Sequence, residues 1–199
     1  MYRIPITLIF FRILLIPIVI SMSYLGGNSI RIFIVILMYL GLLSDIFDGI
    51  IARRLGIATE KLRRLDSLVD LFFWLSIGIS SWIISPEIIK NNSVPIIFLF
   101  ILEIICYLVS FLRFKKEAST HSYTAKLWGL SLVVAFTSII GFNYGGFFMD
   151  ISILIGYISY ADVILILLIL PHWAHDIPSF YHAYLVRKNI LFKKNHWFN

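Results

Sequence analysis

Six stretches of predominantly apolar sequence, about 5–26, 30–54, 62–85, 94–115, 126–148 and 152–174, take up most of this 199-residue chain. Each is long enough to cross a hydrocarbon core of ~30 Å, which takes about 20 residues of helix. Inside that core a segment has to satisfy its own backbone hydrogen bonds, and a helix does so without help from its neighbours. The connections are short, as at Gly26 to Ser29, Ser85 to Ser93 and Tyr144 to Gly146, and leave no room for a soluble domain. With 60% hydrophobic and 14% charged residues and a mean hydropathy of +0.92, a water-soluble globule is excluded, because a chain this small cannot hide so much apolar surface. Intrinsic disorder is excluded on the same grounds. The lone Cys106 rules out an intrachain disulfide and a cysteine-rich metal site. The expected fold is therefore an all-α integral membrane protein, one domain over residues 1–199. Met1 to Gly27 reads as a retained first span rather than a secretory signal, since its apolar run is too long and Pro17 interrupts it. The tail 177–199 sets Phe180, Tyr184, Leu185 and Phe192 beside Arg187, Lys188, Lys193 and Lys194, the pattern of an amphipathic helix lying at the interface.

The basic residues orient these spans. Arg3 precedes the first; Arg53, Arg54, Lys61, Arg63 and Arg64 flank the 2–3 connection. Arg113, Lys115, Lys116 and Lys126 flank the 4–5 connection, and Arg187, Lys188, Lys193 and Lys194 lie in the tail. Together they make 14 of the 17 basic residues on one side, against Arg31 and Lys90 on the other. The positive-inside rule then puts both termini in the cytoplasm, with a cell inner or plasma membrane expected for a bacterial chain. The net charge of +6 reflects this topology and contact with anionic lipid, not nucleic acid.

Four of the eleven acidic residues fall where carboxylates are expensive. Asp45 and Asp48 lie in the second span, Asp66 and Asp70 in the third, and spacings of three and four put each pair on one helical face. At ~1.5 Å per residue, Asp48 and Asp45 lie about 9 and 14 Å inside Arg54, and Asp66 and Asp70 about 6 and 12 Å inside Leu62. The hairpin between the spans thus brings four carboxylates to one level. Four such groups repel one another unless cations neutralise them. An all-oxygen ligand set suits a hard ion, Mg²⁺ or Mn²⁺ with Ca²⁺ admitted, rather than zinc. Two ions sharing these carboxylates would bind a diphosphate and stabilise both attacking and leaving oxygens. The bland alternative is a solvated cluster paired with Arg53, Arg63 and Arg64.

The run Asp45-x2-Asp48-Gly49-x2-Ala52-Arg53-x8-Leu62-x3-Asp66-x3-Asp70 resembles the signature of the CDP-alcohol phosphotransferases, D-x2-D-G-x2-A-R-x8-G-x3-D-x3-D, at seven of its eight fixed positions. The six-span layout agrees over nearly the whole chain. Phe11-Arg12 through Pro17 is similar to the first helix of the phosphatidylglycerophosphate synthase branch. The resemblance implies transfer of a substituted phosphate from a CDP-linked donor to an alcohol, with release of CMP and two divalent cations as cofactors. It implies Asp45, Asp48, Asp66 and Asp70 as metal ligands and Asp70 as the base that takes the acceptor's proton. Asp48, Gly49, Ala52 and Arg53 would flank the nucleotide. Leu62 stands at the family's second glycine, beside the nucleotide base, where its side chain narrows the pocket or shifts the nucleotide. Many members carry Asn and Thr where this chain has Ile6 and Ile9.

The leading expectation is phosphatidyl transfer from CDP-diacylglycerol to a small polar alcohol, glycerol 3-phosphate first. Arg113 and Lys126 are similar in placement to residues that take a phosphorylated acceptor in the phosphatidylglycerophosphate-type branch; ordinary loop charge is the competing account. The rivals are transfer of a CDP-linked headgroup to diacylglycerol, and a cation or proton transporter built on intramembrane carboxylates. Membrane lipids are the expected partners, and a homodimer is left open. Glu103 and Asp162 are intramembrane acids kept outside the site, Asp162 with tyrosine bonding as one reading. His172 and His175 have a spacing that binds metal on one helical face, against interfacial anchoring beside Trp173. Arg12 has two readings: balancing the aspartates, or snorkelling to the interface.

Overall fold

The computed structural model describes residues 3–55, 60–116, 122–174 and 177–190, and all regular structure in them is helical. The eight α-helices are α1 (Arg3–Gly26), α2 (Arg31–Arg54), α3 (Glu60–Ile84), α4 (Pro86–Asn91), α5 (Ser93–Phe114), α6 (Tyr123–Phe136), α7 (Phe147–Ile169) and α8 (Phe180–Arg187). Six spans are long and apolar enough to cross a membrane: Pro5–Gly26, Arg31–Ala52, Leu65–Ile84, Ser93–Phe114, Tyr123–Gly141 and Phe147–Ile169. Only 17% to 39% of each span is buried within the protein, so most of their apolar surface needs hydrocarbon around it. The protein is a multi-pass all-α membrane protein.

The ends of these helices follow from local chemistry. Pro86 forces Ser85 out of the helical region and stops α3, then opens α4 at the position where its missing N–H does no harm. Lys115 takes a left-handed conformation (φ 57°) and its N–H closes α5 on the Phe111 carbonyl at 2.9 Å. Leu170, extended at ψ 131°, precedes Pro171 and ends α7. Two spans differ from the sequence expectation. The fifth span, expected over 126–148, ends in a π-turn at Thr137–Gly141, and the sixth runs Phe147–Ile169 rather than 152–174. The break lies earlier because Asn143 adopts φ 52°, which asparagine tolerates and a continuing helix does not. Pro171 then closes the last span early.

The chain divides into two compact units, Met1–Lys90 with Phe136–Tyr144, and Asn91–Ala135 with Gly145–Asn199. In the first, α1 is the helix on which both α2 and α3 pack. Its core is built from Ile9, Leu15 and Val19 of α1, Ile34 and Met38 of α2, and Val69, Phe73 and Ile77 of α3. Gly41 lets the Phe73 ring reach the α2 backbone; a Cβ at Gly41 would collide with that ring. Ser44 of α2 donates to the Leu8 carbonyl of α1 at 3.0 Å. Far along α2 from its aspartates, Arg31 donates to the Ile84 and Ile140 carbonyls at 3.0 and 3.2 Å, satisfying the end of α3 and the π-turn.

In the second unit, α5 and α8 both pack on α7. Cys106, Tyr160 and Leu167 form one buried cluster; Ile166, Leu170, Ile177 and Ala183 form another. Helix α8 buries Ala183 against α7 and leaves Phe180, Tyr181, Tyr184 and Arg187 exposed. The expected tail helix is realised over Phe180–Arg187; residues 191–199 lie outside the described residues.

Candidate active site

Helices α2 and α3 present their aspartates toward α1, and the centre they form is organised around one side chain. Arg12 of α1 is fully buried, at 0% exposure. Its Nη1 donates to Asp45 Oδ1 at 2.9 Å and to Asp70 Oδ1; its Nη2 donates to Asp66 Oδ1 at 2.7 Å and to Asp48 Oδ2. The spacings of three on α2 and four on α3 are what let two carboxylates from each helix face the same point. Asp48 is buried, whereas the side chains of Asp45, Asp66 and Asp70 retain 35%, 28% and 28% of their exposure. Three acids can therefore be reached from outside and one cannot. Of the guanidinium's donors, Nε is buried without a partner among the described residues.

One guanidinium does not neutralise four carboxylates. With all five groups ionised the centre carries a net charge of −3, in surroundings too apolar to disperse it. Asp45, Asp48 and Asp66 each offer an oxygen within 4.8 Å of the others, a set able to hold a metal ion. The donors are all carboxylate oxygens, the chemistry that Mg²⁺, Mn²⁺ and Ca²⁺ prefer. Excess charge, ligand type and spacing fit a divalent cation.

The family model described as CDP-alcohol phosphatidyltransferase matches residues 2–175. The chain belongs to the CDP-alcohol phosphatidyltransferase family. No curated protein and no solved structure matches it significantly. Membership makes it a phosphotransferase that uses a CDP-linked donor and an alcohol acceptor, in a family that generally uses divalent metals. For a CDP-alcohol phosphatidyltransferase, the α1–α2–α3 centre is the one place described where acidic groups from different helices converge on a set able to hold a metal ion.

The remaining motif positions lie on the same two helices. Gly49 follows Asp48 directly and is half-buried, and Ala52, one turn beyond Asp48, is 7% exposed. Arg53 ends α2, but its side chain lies outside the described residues. Leu62, at the place of the family glycine, sits in the first turn of α3 and is half-buried. The sequence left Arg12 between two accounts; the structure decides for the aspartates, since a side chain at 0% exposure does not snorkel.

Several other residues weighed from the sequence have structural partners. Arg113 donates through Nη1 to the Leu167 and Leu168 carbonyls and through Nη2 to the Leu170 carbonyl at 3.3 Å, satisfying the last turn of α7. Lys126 is exposed in the first turn of α6. Asp162 is bonded, but not to tyrosine. Its Oδ2 accepts from Thr124 Oγ1 at 2.8 Å and its Oδ1 from the Phe180 N–H at 2.9 Å. Nothing in the sequence pointed to Thr124 or Phe180 as partners of Asp162, because the pairing links residues far apart in the chain. His172 lies beyond the end of α7, so the helical face expected for a His172/His175 metal pair is not formed there; His175 and Asp176 lie outside the described residues. Trp173 instead carries Lys116 Nζ over its ring at 4.5 Å. Glu103 is half-buried in α5.

Proposed function

We propose that this enzyme transfers a phosphatidyl group from CDP-diacylglycerol to a small polar alcohol, glycerol 3-phosphate first, and releases CMP. The observation that carries this reading is the convergence of Asp45, Asp48, Asp66 and Asp70, the four acids of the family motif, on one point. These residues would hold two divalent cations, Mg²⁺ or Mn²⁺. When bound, the cations supply charge neutralisation at the donor's diphosphate.

Asp70 takes the proton of the acceptor hydroxyl. The freed oxygen bonds to the phosphorus that bears diacylglycerol, and the bond from that phosphorus to the CMP oxygen breaks. The pyrophosphate link has a good leaving group, so orientation and charge account for most of the rate. Gly49 and Ala52 leave the face of α2 beside Asp48 without bulky side chains, which favours close approach of the nucleotide, and Arg53 extends that stretch. Lys126 is assigned to an acceptor phosphate as a point charge; Arg113, the other residue expected there, has both Nη groups donating to α7 carbonyls and serves the fold instead. The 14 basic residues of the N-terminus, loops and tail support cytoplasmic termini.

The test is CMP release from CDP-diacylglycerol by purified enzyme in detergent, with and without Mg²⁺ or Mn²⁺ and across candidate alcohols. Metal-dependent CMP release that Asp70→Asn abolishes is expected. Release from a CDP-linked headgroup with diacylglycerol, and none from CDP-diacylglycerol, would replace this reading with the reverse assignment of donor and acceptor. Ion flux in proteoliposomes without nucleotide, and no CMP from either donor, would replace it with transport.

A further inference from the structure

We propose that Arg12 is the internal counter-cation of the four-aspartate centre, holding the carboxylates together before a divalent ion arrives and opposing that ion's binding. The inference rests on the metal reading above and concerns what this chain does in the absence of metal. Arg12 engages one oxygen of each of the four carboxylates, two through Nη1 and two through Nη2, and it is the largest of the fully buried side chains. Asp45, Asp48 and Asp66, which form the set able to hold an ion, are three of the four acids Arg12 binds. A guanidinium and a metal ion thus claim the same carboxylates.

The competition has a sign. Without Arg12 the cluster would carry −4 rather than −3, a deeper well for a cation but a less stable arrangement without one. Linkage ties these two effects together: whatever part of Arg12's contribution to the metal-free fold is lost when an ion binds is subtracted from the affinity for metal. One turn before Arg12, Ile9 is buried in the core and the Leu8 carbonyl accepts from Ser44.

The experiment compares full-length wild type, Arg12→Gln and Arg12→Lys in detergent, measuring Mn²⁺ binding by electron paramagnetic resonance and thermal unfolding with and without Mn²⁺. Arg12→Gln is expected to bind Mn²⁺ at least ~10-fold more tightly, because a competing unit charge at this range is worth more than the ~1.4 kcal/mol of a tenfold change. Its metal-free form unfolds at lower temperature, and Mn²⁺ raises its Tm by more than it raises that of wild type. Arg12→Lys keeps the charge and stays within about threefold of wild type. Recovery of folded Arg12→Gln only in Mn²⁺, with wild type stable in its absence, supports the proposal equally. Wild type that binds Mn²⁺ while Arg12→Gln binds it no better overturns the inference and leaves the metal reading standing. No Mn²⁺ binding by any of the three overturns the metal reading itself. If Arg12→Gln is not recovered under any condition, the Mn²⁺-loaded wild-type structure decides: all four Arg12 contacts intact beside an ion located by anomalous scattering overturns the proposal, and loss of two or more supports it.

Discussion

Replacing Asp162 by alanine separates a structural carboxylate from a chemical one. An intramembrane acid is a functional suspect by default, yet both oxygens of Asp162 are occupied by groups of the fold. Oδ1 accepts from the backbone N–H of Phe180, the first residue of α8, and Oδ2 from the hydroxyl of Thr124 near the start of α6. With Asp162 only 6% exposed, no water replaces these bonds. Loss of a cap at a helix start costs about 1 kcal/mol, within a range of roughly 0.5–2. Stranding the Thr124 hydroxyl, which also shares a 2.8 Å hydrogen bond with Ser122, adds about 1 kcal/mol, at the low end for a buried polar group. Asp162→Ala should therefore destabilise the second unit by about 2 kcal/mol in total. Roughly half of it acts on α8 alone, so the α8 amides should exchange about fivefold faster. Asp162→Asn keeps an acceptor for Phe180, and its amide can donate to Thr124, so it should lose about 0.5 kcal/mol or less. Hydrogen exchange by mass spectrometry over residues 180–187, with CMP release per folded molecule measured in parallel, tests this. Unchanged exchange in Asp162→Ala would refute the capping account. Loss of turnover in folded Asp162→Asn would show that the acid belongs to the chemistry.

Other outcomes follow from the site. Asp70→Asn should lower kcat by about 10²–10⁴-fold, the range of a positioned general base, while the protein stays monodisperse and helical by circular dichroism. Chelation should abolish CMP release, and Mg²⁺ or Mn²⁺ should restore it where Zn²⁺ does not, since an all-carboxylate set lacks the nitrogen and sulfur ligands zinc prefers. Leu62→Gly should lower the KM for the CDP-linked donor by widening the nucleotide pocket, at about 1 kcal/mol of helix stability readable as a lower Tm. Lys126→Ala should raise the KM for glycerol 3-phosphate by about tenfold, whereas Arg113→Ala should lower Tm, because three α7 carbonyls lose their donor.

The parts of this molecule legible in the sequence are those governed by local periodicity. The aspartate pairs could be placed because three- and four-residue spacings fix a helical face whatever packs against it, and a short connection between two spans fixes their depth. The first four spans can be placed to within about two residues because charged residues, Gly26-Gly27 or Pro86 mark their ends. The break after the fifth span has no charged residue or proline to mark it, only the Tyr144 to Gly146 connection. Phe142 and Phe147 continue the apolar run, and what ends the helix is the conformation of Asn143, where the Ser85 hydroxyl meets the Asn143 side-chain oxygen at 2.7 Å and the Arg31 guanidinium reaches it at 3.3 Å. That geometry is assembled from three separate parts of the chain.

Arg12 and Asp162 were undecidable from sequence for the same physical reason. A lone charge in a span has two ways to lower its energy, reaching water or finding a partner, and the choice depends on what the neighbouring helices place at its level. For Arg12 the sequence does hold half the answer. It lies about 10 Å inside Pro5 along α1, close to the depth the aspartates have inside Arg54 and Leu62. An arginine and four carboxylates at one depth on three adjacent spans leave little alternative to meeting, because separate burial of each would cost several kcal/mol per charge. Depth matching across spans is thus a signal that periodicity within a span does not provide. Asp162 offers no such signal. Its partners are a threonine and a backbone N–H, groups that carry no charge and occur at every level of a helical bundle.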